Sequence, residues 1–315
     1  MKWHDRAKEL KFNKGKSWTE TSSIIQDEFF PNENRQKIHE RVRGYLRTQS
    51  EYESETDAYL EIPEPQIIKN KWTGDKILRF GLMGDTQINS KYVQLTHLHN
   101  FYDICQHEGL EKVYHTGDMD EGEEMRMGHK YECYTQGVDD HIDEIVKVYP
   151  QRKGIVTEFI TGNHDHSIYK RAGFDIGPVI AQRRKDMTYL GMSNAIIMLT
   201  PKCSLELRHP IDGTAYALSY KLQKMIEAMS GGEKPNILAV GHYHKAETFP
   251  YRNVQAVQTG CFQGQTPFTR GKGISIQLGG YIIEVNVDEE GTITRFKSEF
   301  IPYYKSIKDD YKNFI

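Results

Sequence analysis

Asn163, His164 and Asp165 set an amide, an imidazole and a carboxylate in consecutive positions of a Gly-Asn-His-Asp tetrapeptide. The run before it, residues 155–161, is rich in β-branched and aromatic residues and reads as a buried strand. The tetrapeptide therefore lies where the chain leaves the carboxyl end of a strand, the place at which open α/β sheets bind their ligands. Other stretches repeat the pattern. Asp85 follows the apolar run 77–83, Asp118 follows 112–115, His209 follows 204–207, and His242 and His244 follow 236–240. Two histidines one residue apart serve one site if their loop curls. Singly, Gly-Asp and Gly-Asn are turn chemistry, and a lone histidine is an ordinary residue. As a set, oxygen and imidazole donors behind successive strands suit Mn, Fe, Zn or similar divalent ions. The absence of cysteine among them argues against a structural zinc.

Such groups converge only if their strands lie side by side. A strand at 77–83, a helix at 93–107, a strand at 112–115, a helical region at 123–149 and the strand at 155–161 alternate in the order that gives parallel pairing. Past about residue 188 the pattern shifts to shorter strands, at 195–199, 204–207, 237–240, 256–258, 281–287 and 292–296. One helix, 215–229, interrupts them. There is no internal repeat.

The 315 residues suffice for one large α/β domain and a small one. Net charge is −3 but unevenly spread: residues 1–50 hold 11 Lys/Arg against 7 Asp/Glu. A basic module joined to an acidic body is implied. Cys105, Cys133, Cys203 and Cys261 form no CxxC pair and read as reduced thiols. No apolar run approaches the roughly 18 residues of a membrane span, and the N-terminal residues do not resemble a signal peptide. The chain reads as soluble and intracellular.

Three short helices are expected before residue 50. The first covers about 5–12. Ser17 and Glu20 have capping-box spacing and start a second that turns Ile24, Ile25 and Phe29 inward and stops at Pro31. The third, about 35–47, carries Ile38, Val42, Tyr45 and Leu46 on one face, with Arg35, Arg41, Arg43 and Arg47 mostly elsewhere. An apolar stripe that seats a helix, and guanidiniums left to meet phosphates and base edges, are what a helix-turn-helix reader of DNA needs. A solvated helical cap or dimerisation element would share that pattern. Residues 51–75, opening with six acidic residues over 51–64 and holding Pro63 and Pro65, read as a linker, so the main domain is expected at 76–315.

The ordered blocks Gly84-Asp85, Gly117-Asp118, Gly162-Asn163-His164-Asp165, His209 and Gly241-His242-Tyr243-His244 resemble the signature of the calcineurin-like metallophosphoesterase superfamily over about residues 78–300. That resemblance implies an α/β fold, a four-layer α/β/β/α sandwich, holding two divalent metal ions. Carried over residue by residue, Asp85, Asp118 and His244 would bind the first ion and Asp118 would bridge to the second, completed by Asn163, His209 and His242. His164 would contact the scissile phosphate and protonate the leaving oxygen, with Asp165 orienting its imidazole. The chain departs from the family at Gln87, where a histidine is usual. An amide oxygen is a harder donor and leans the first site toward Mn²⁺ or Mg²⁺, with Fe and Zn as alternatives. The block Gly117-Asp118-Met119-Asp120-Glu121 also shifts the usual later carboxylate, so Asp120 receives no ligand role. Among nearby histidines only His166 is a further candidate.

The resemblance, with the basic helices, implies a phosphodiesterase or nuclease acting on DNA, held by residues 1–50. It looks like enzymes carried by bacteriophages and prophages, which places it in the cytoplasm of a bacterium or phage-infected cell. A small-molecule phosphatase or cyclic-nucleotide phosphodiesterase fits the same blocks. So does a nucleic-acid-binding protein with a degenerate metal site. The Gly-rich basic loop 266–273 would reach a substrate phosphate through Arg270 or Lys272, or stand as a solvated hairpin.

Overall fold

The computed structural model describes residues 2–14, 16–46, 64–213 and 215–314. The chain divides into two compact units, Met1–Ile62 and Pro63–Ile315.

In the first unit, helix α1 (Trp3–Lys8) runs into a wide turn at Glu9–Asn13. Helix α2 (Trp18–Phe29) begins with the expected reciprocal cap: Ser17 Oγ accepts from Glu20 N at 3.2 Å, and Ser17 N donates to Glu20 Oε2 at 2.9 Å. Asn34 Oδ1 caps helix α3 (35–46) by accepting from the Gln36 and Lys37 N–H groups. Ala7, Leu10, Ile25, Ile38, Val42 and Leu46 form a closed core. The i, i+4, i+8 stripe on α3 accounts for three of them, which leaves Arg35, Lys37, Arg41 and Arg43 exposed. Arg47 lies outside the described residues.

The second unit is built on two six-stranded sheets. One holds β2 (Ile77–Met83), β3 (Lys112–His115), β4 (Val156–Thr161) and β5 (Met187–Met192), all parallel, continued beyond β2 by β11 (Gly279–Val287) and β12 (Ile293–Pro302). The other has the order β1-β6-β7-β8-β10-β9. Its members are β1 (Gln66–Lys69), β6 (Asn194–Thr200), β7 (Cys203–Arg208), β8 (Ile237–Val240), β9 (Ala246–Tyr251) and β10 (Val254–Thr259).

Side-chain alternation turns the sheets into layers. On β2, Phe80 and Leu82 face the second sheet and meet Leu205, Leu207 and Ile237, while Met83 belongs to the opposite face. That outer face is covered by α4 (Leu95–His107), α5 (Val138–Val148) and α7 (Ile176–Arg183) through Leu98, Phe101, Ile145 and Ile180. On β8, Ile237 and Ala239 face the first sheet, whereas Leu238 and Val240 pack under Leu222 and Ile226 of α8 (Tyr220–Ala228). The result is helix, sheet, sheet, helix, the expected four-layer sandwich. Each fully buried Leu, Ile or Phe contributes ~1.5–3 kcal/mol. All four cysteines are buried thiols. Among the described residues no helix is long and apolar enough to cross a membrane.

Three expectations change. Strand β1 falls inside the stretch read as linker 51–75, pairing parallel with β6 through Gln66–Ala195 to Lys69–Met198. The expected helix over 123–149 is helical only at α5. Gly128 and Gly137 take φ of +83° and +98°, and residues 123–137 form a loop with a single short turn at His129–Tyr131. The loop 266–273 contains a short helix, α9 (Pro267–Gly271), started by Thr266 accepting from Thr269 N.

Candidate metal centre

Strands β2, β3 and β4 are parallel, so Asp85, Asp118 and Asn163 leave the same edge of their sheet. His209 and His242 leave β7 and β8, which are likewise parallel to each other. The two edges are stitched together by Thr116 Oγ1 and Thr259 Oγ1 at 2.9 Å and by His242 N, which donates to both Asp85 carboxylate oxygens at 3.0 and 2.9 Å.

Local backbone conformation then aims the side chains. Asp85, Gln87 and Asp118 have φ of +51°, +50° and +55°, and His242 and His244 have +77° and +54°. Left-handed conformation is costly for such residues and marks functional loops. Here it curls each loop so that residues two apart serve one site. Close approach does the rest: a Cβ on Gly162 would lie 2.3 Å from Asp118 Oδ1, and one on Gly117 would lie 2.7 Å from His209 Nδ1.

The structure brings together Asp85, Gln87, Asp118, Asn163, His209, His242 and His244. His209 Nδ1–H donates to the Thr116 carbonyl at 2.8 Å, which leaves Nε2 directed at Asp118 Oδ2 at 3.2 Å and Asn163 Oδ1 at 3.0 Å. His242 Nε2–H donates to the Asp212 carbonyl at 2.7 Å, which turns Nδ1 onto Asn163 Oδ1 at 2.8 Å. Nitrogen and oxygen atoms of metal-ligand type thus converge, each held from behind by a second partner, an arrangement suited to a cation between them. On the other side, His244 Nε2 lies 3.3 Å from Asp85 Oδ1, and Gln87 Nε2 donates to Asp118 Oδ2 at 3.2 Å. Gln87 Oε1 is buried with no hydrogen-bond partner among the described residues. An orphaned buried amide oxygen is expensive unless something absent from the protein satisfies it. Asp118 touches both groups, as a bridging carboxylate must.

The field is one that attracts positive charge. Burial opposes charge on His209, but Asp118 and Asp85 outweigh it and push the imidazole up to about 9, so a cation bound at Nε2 would displace a proton. Burial likewise opposes ionisation of Asp118, but His209 and His164 hold its carboxyl well below the usual range. Burial, reinforced by His209, pushes His242 down to about 4 and keeps it neutral, as a ligand must be.

His164 is the second residue of α6 (Asn163–Ala172), and its N–H donates to Asp118 Oδ1 at 2.8 Å. Its Nδ1–H donates to the Glu121 carbonyl at 2.6 Å. This corrects the role expected for Asp165. The Asp165 carboxylate accepts from the backbone N–H groups of Gly162, Met119 and Asp120 at 2.7, 3.2 and 2.8 Å, and the His164 imidazole is held by a carbonyl instead. Position three of a helix faces back to its own cap, so Asp165 ties the two metal loops together. Asp120, given no ligand role, accepts from Asn89 Nδ2 at 2.5 Å and from His141 Nδ1–H at 2.7 Å. His166 stacks on Tyr169 with ring centroids 5.0 Å apart.

A second group was not marked by any strand-end spacing. Glu121 is buried and accepts from His129 Nε2–H at 2.9 Å and from Gln263 Nε2 at 2.5 Å. Its oxygens lie among the nitrogens of His129 and His164 in a set compact enough to hold an ion. Burial pushes Glu121 up to about 7 and, with Arg126, pushes His129 down to about 4. The sequence signal, a carboxylate three residues after Asp118, becomes meaningful only once 123–137 is known to be a loop.

Above the centre lies a cleft of about 540 Å³ whose walls include His164, Arg126, Asp212, Phe268 and Lys272. Lys272, one of the two basic residues expected to reach substrate, is in the lining; Arg270 is not.

Among solved structures, an archaeal phosphodiesterase is 12% identical with a TM-score of 0.40, over 71% of this chain and 100% of its own. A predicted phosphoesterase from Streptococcus pneumoniae is 11% identical with a TM-score of 0.36, over 72% and 98%. A phosphoesterase from E. coli is 10% identical with a TM-score of 0.35, over 70% and 98%. No protein-family model and no curated protein matches the chain.

Proposed function

We propose that the chain is a metal-dependent phosphodiesterase acting on DNA. The observation that carries the reading is the convergence of Asp85, Gln87, Asp118, Asn163, His209, His242 and His244, with Gln87 Oε1 unpartnered among the described residues, directly beside His164 in an open cleft. Asp85, Gln87, Asp118 and His244 would hold one divalent cation, Mn²⁺ by the hardness of the donors. Asp118, Asn163, His209 and His242 would hold a second. Two such cations, when bound, draw charge from the phosphoryl oxygens and acidify a water. The chain's own residues do the rest. Asp118 fixes the His164 main chain, and the Glu121 carbonyl fixes its imidazole by taking Nδ1–H. With Nδ1–H held there, it is the imidazolium form whose Nε2–H passes to the departing oxygen, leaving the neutral ring, a role worth about 10²–10⁴ in rate. No serine or cysteine nucleophile is required.

The DNA part of the reading is supported by α3. Its buried stripe seats the helix, while Arg35, Lys37, Arg41 and Arg43 are left exposed. The test is turnover by the full chain with Mn²⁺ of bis-p-nitrophenyl phosphate, p-nitrophenyl phosphate, cyclic nucleotides and DNA. Diester and DNA cleavage by the unaltered chain, both abolished in Asn163→Ala, with cleavage of DNA the more severely reduced in His164→Ala, supports the reading; monoester or cyclic-nucleotide turnover alone transfers it to a small-molecule enzyme. DNA affinity that does not fall with added salt removes the role given to residues 1–50.

A further inference from the structure

Resting on that reading, we infer that Phe268 and Lys272 form a nucleotide subsite facing the metal centre: Phe268 stacks on the base of the nucleoside attached to the scissile phosphate, and Lys272 takes the next phosphate along the strand. Both residues line the cleft that also holds Asp118, His164, His242 and His244. At about 540 Å³ it is in the size range of small-ligand sites, room for one nucleotide unit and part of the next.

The chemistry of the wall is what a nucleoside requires. Phe268 is packed against the Arg126 guanidinium at 4.4 Å, with Lys272 Nζ 6.0 Å from the ring centroid, yet 40% of its surface remains exposed. A phenyl ring left open beside Asp118, His164 and His242, in a lining that also includes Ile211 and Ile274, gains by receiving a flat apolar face, and every nucleobase has one. Arg126 is committed, because its guanidinium is paired with Glu132 at 2.6 Å. It braces the ring. Lys272 follows α9 directly, within the same lining, and supplies the charge a neighbouring phosphate needs. Asp212, also in the lining, is tied to Tyr243 Oη at 2.6 Å and to Lys221, so it does not repel the strand as a free carboxylate would. A phosphate monoester of a small polyol would leave the ring uncovered. A single-stranded nucleotide segment uses both residues.

The experiment compares three p-nitrophenyl diesters with one leaving group: methyl p-nitrophenyl phosphate, thymidine 5′-(p-nitrophenyl phosphate), and the same thymidine ester carrying a 3′-phosphate. The full chain loaded with Mn²⁺ should prefer them in rising order. Phe268→Ala should raise KM for both thymidine esters about tenfold, with kcat held within twofold and the methyl ester unaffected. Phe268→Leu, which keeps the apolar bulk but not the ring, should recover only part of the loss. Lys272→Ala should erase the advantage of the 3′-phosphate alone. Equal kcat/KM for the methyl and thymidine esters, or equal losses on both in Phe268→Ala, overturns the subsite while leaving the diesterase standing. Failure to cleave any of the three overturns both.

Discussion

Gln87 and Asp118 meet amide to carboxylate, Nε2 to Oδ2 at 3.2 Å, and this contact leaves the amide oxygen of Gln87 buried without a partner among the described residues. The side chain is thus oriented with its donor spent inside the protein and its acceptor free, which is the orientation of a ligand.

Replacing that oxygen tests the assignment. Gln87→Met keeps length and apolar volume but removes the donor atom. Calorimetric titration of chelator-treated protein with Mn²⁺ should then show one tight site where the unaltered chain shows two. Gln87→His, which supplies the softer donor, should tighten Zn²⁺ at the first site by about tenfold. Two unchanged Mn²⁺ sites in Gln87→Met would remove Gln87 from the metal centre.

His164 and Asn163 should separate cleanly. His164→Ala should retain its metal, because His164 contacts Asp118 only through its main chain, and should lose about 10²–10⁴ in kcat on DNA. The loss should be far smaller on p-nitrophenyl esters, whose leaving group needs no proton. Asn163→Ala should lose an ion and turnover on every substrate. Loss of metal in His164→Ala would assign the imidazole to coordination instead.

Asp165 carries structure. Asp165→Asn turns an amide N–H toward main-chain donors now satisfied by the carboxylate, and urea denaturation should show a cost of about 1–3 kcal/mol. Its pH–rate profile should keep the parent shape, since the carboxylate does not touch the His164 ring. A displaced acidic or basic limb would restore the orienting role.

Glu121 makes stability pH-dependent. Burial raises its folded pKa to about 7 from an ordinary 4.5, so the folded chain holds a proton that the unfolded chain has released. Its contribution therefore favours folding at low pH and is lost as pH rises from about 4.5 through 7, a change on the order of 3 kcal/mol. Denaturation in chelator across that range should show the slope, and Glu121→Gln should flatten it. An equal slope in the variant would place the titration elsewhere.

The loops of the proposed metal centre were legible because a strand end is a local signal: apolar alternation gave β2, β3 and β4, and the residues following each are the proposed donors. Parallel order followed from the intervening helices. What escaped depended on distant partners. Strand β1 is four residues beside Pro65, and it exists by pairing with β6 about 130 residues away. Strand β9 is an edge strand containing Pro250, whose missing N–H looks like a strand breaker until its edge position is known. Residues 123–137 have helix-compatible composition, yet Gly128 and Gly137 break them into the loop that carries Arg126 to the cleft and His129 to Glu121. The role of Asp165 was misplaced for a related reason. The tetrapeptide shows His164 and Asp165 as neighbours in sequence, whereas the helix that begins at Asn163 turns one toward the cleft and the other toward its own cap.

The most direct test of the central claim is hydrolysis of bis-p-nitrophenyl phosphate by chelator-treated protein titrated with Mn²⁺. Turnover should be absent without metal and rise to a plateau as the second equivalent binds. Two equivalents bound with no turnover, or turnover that persists in excess chelator, would contradict it.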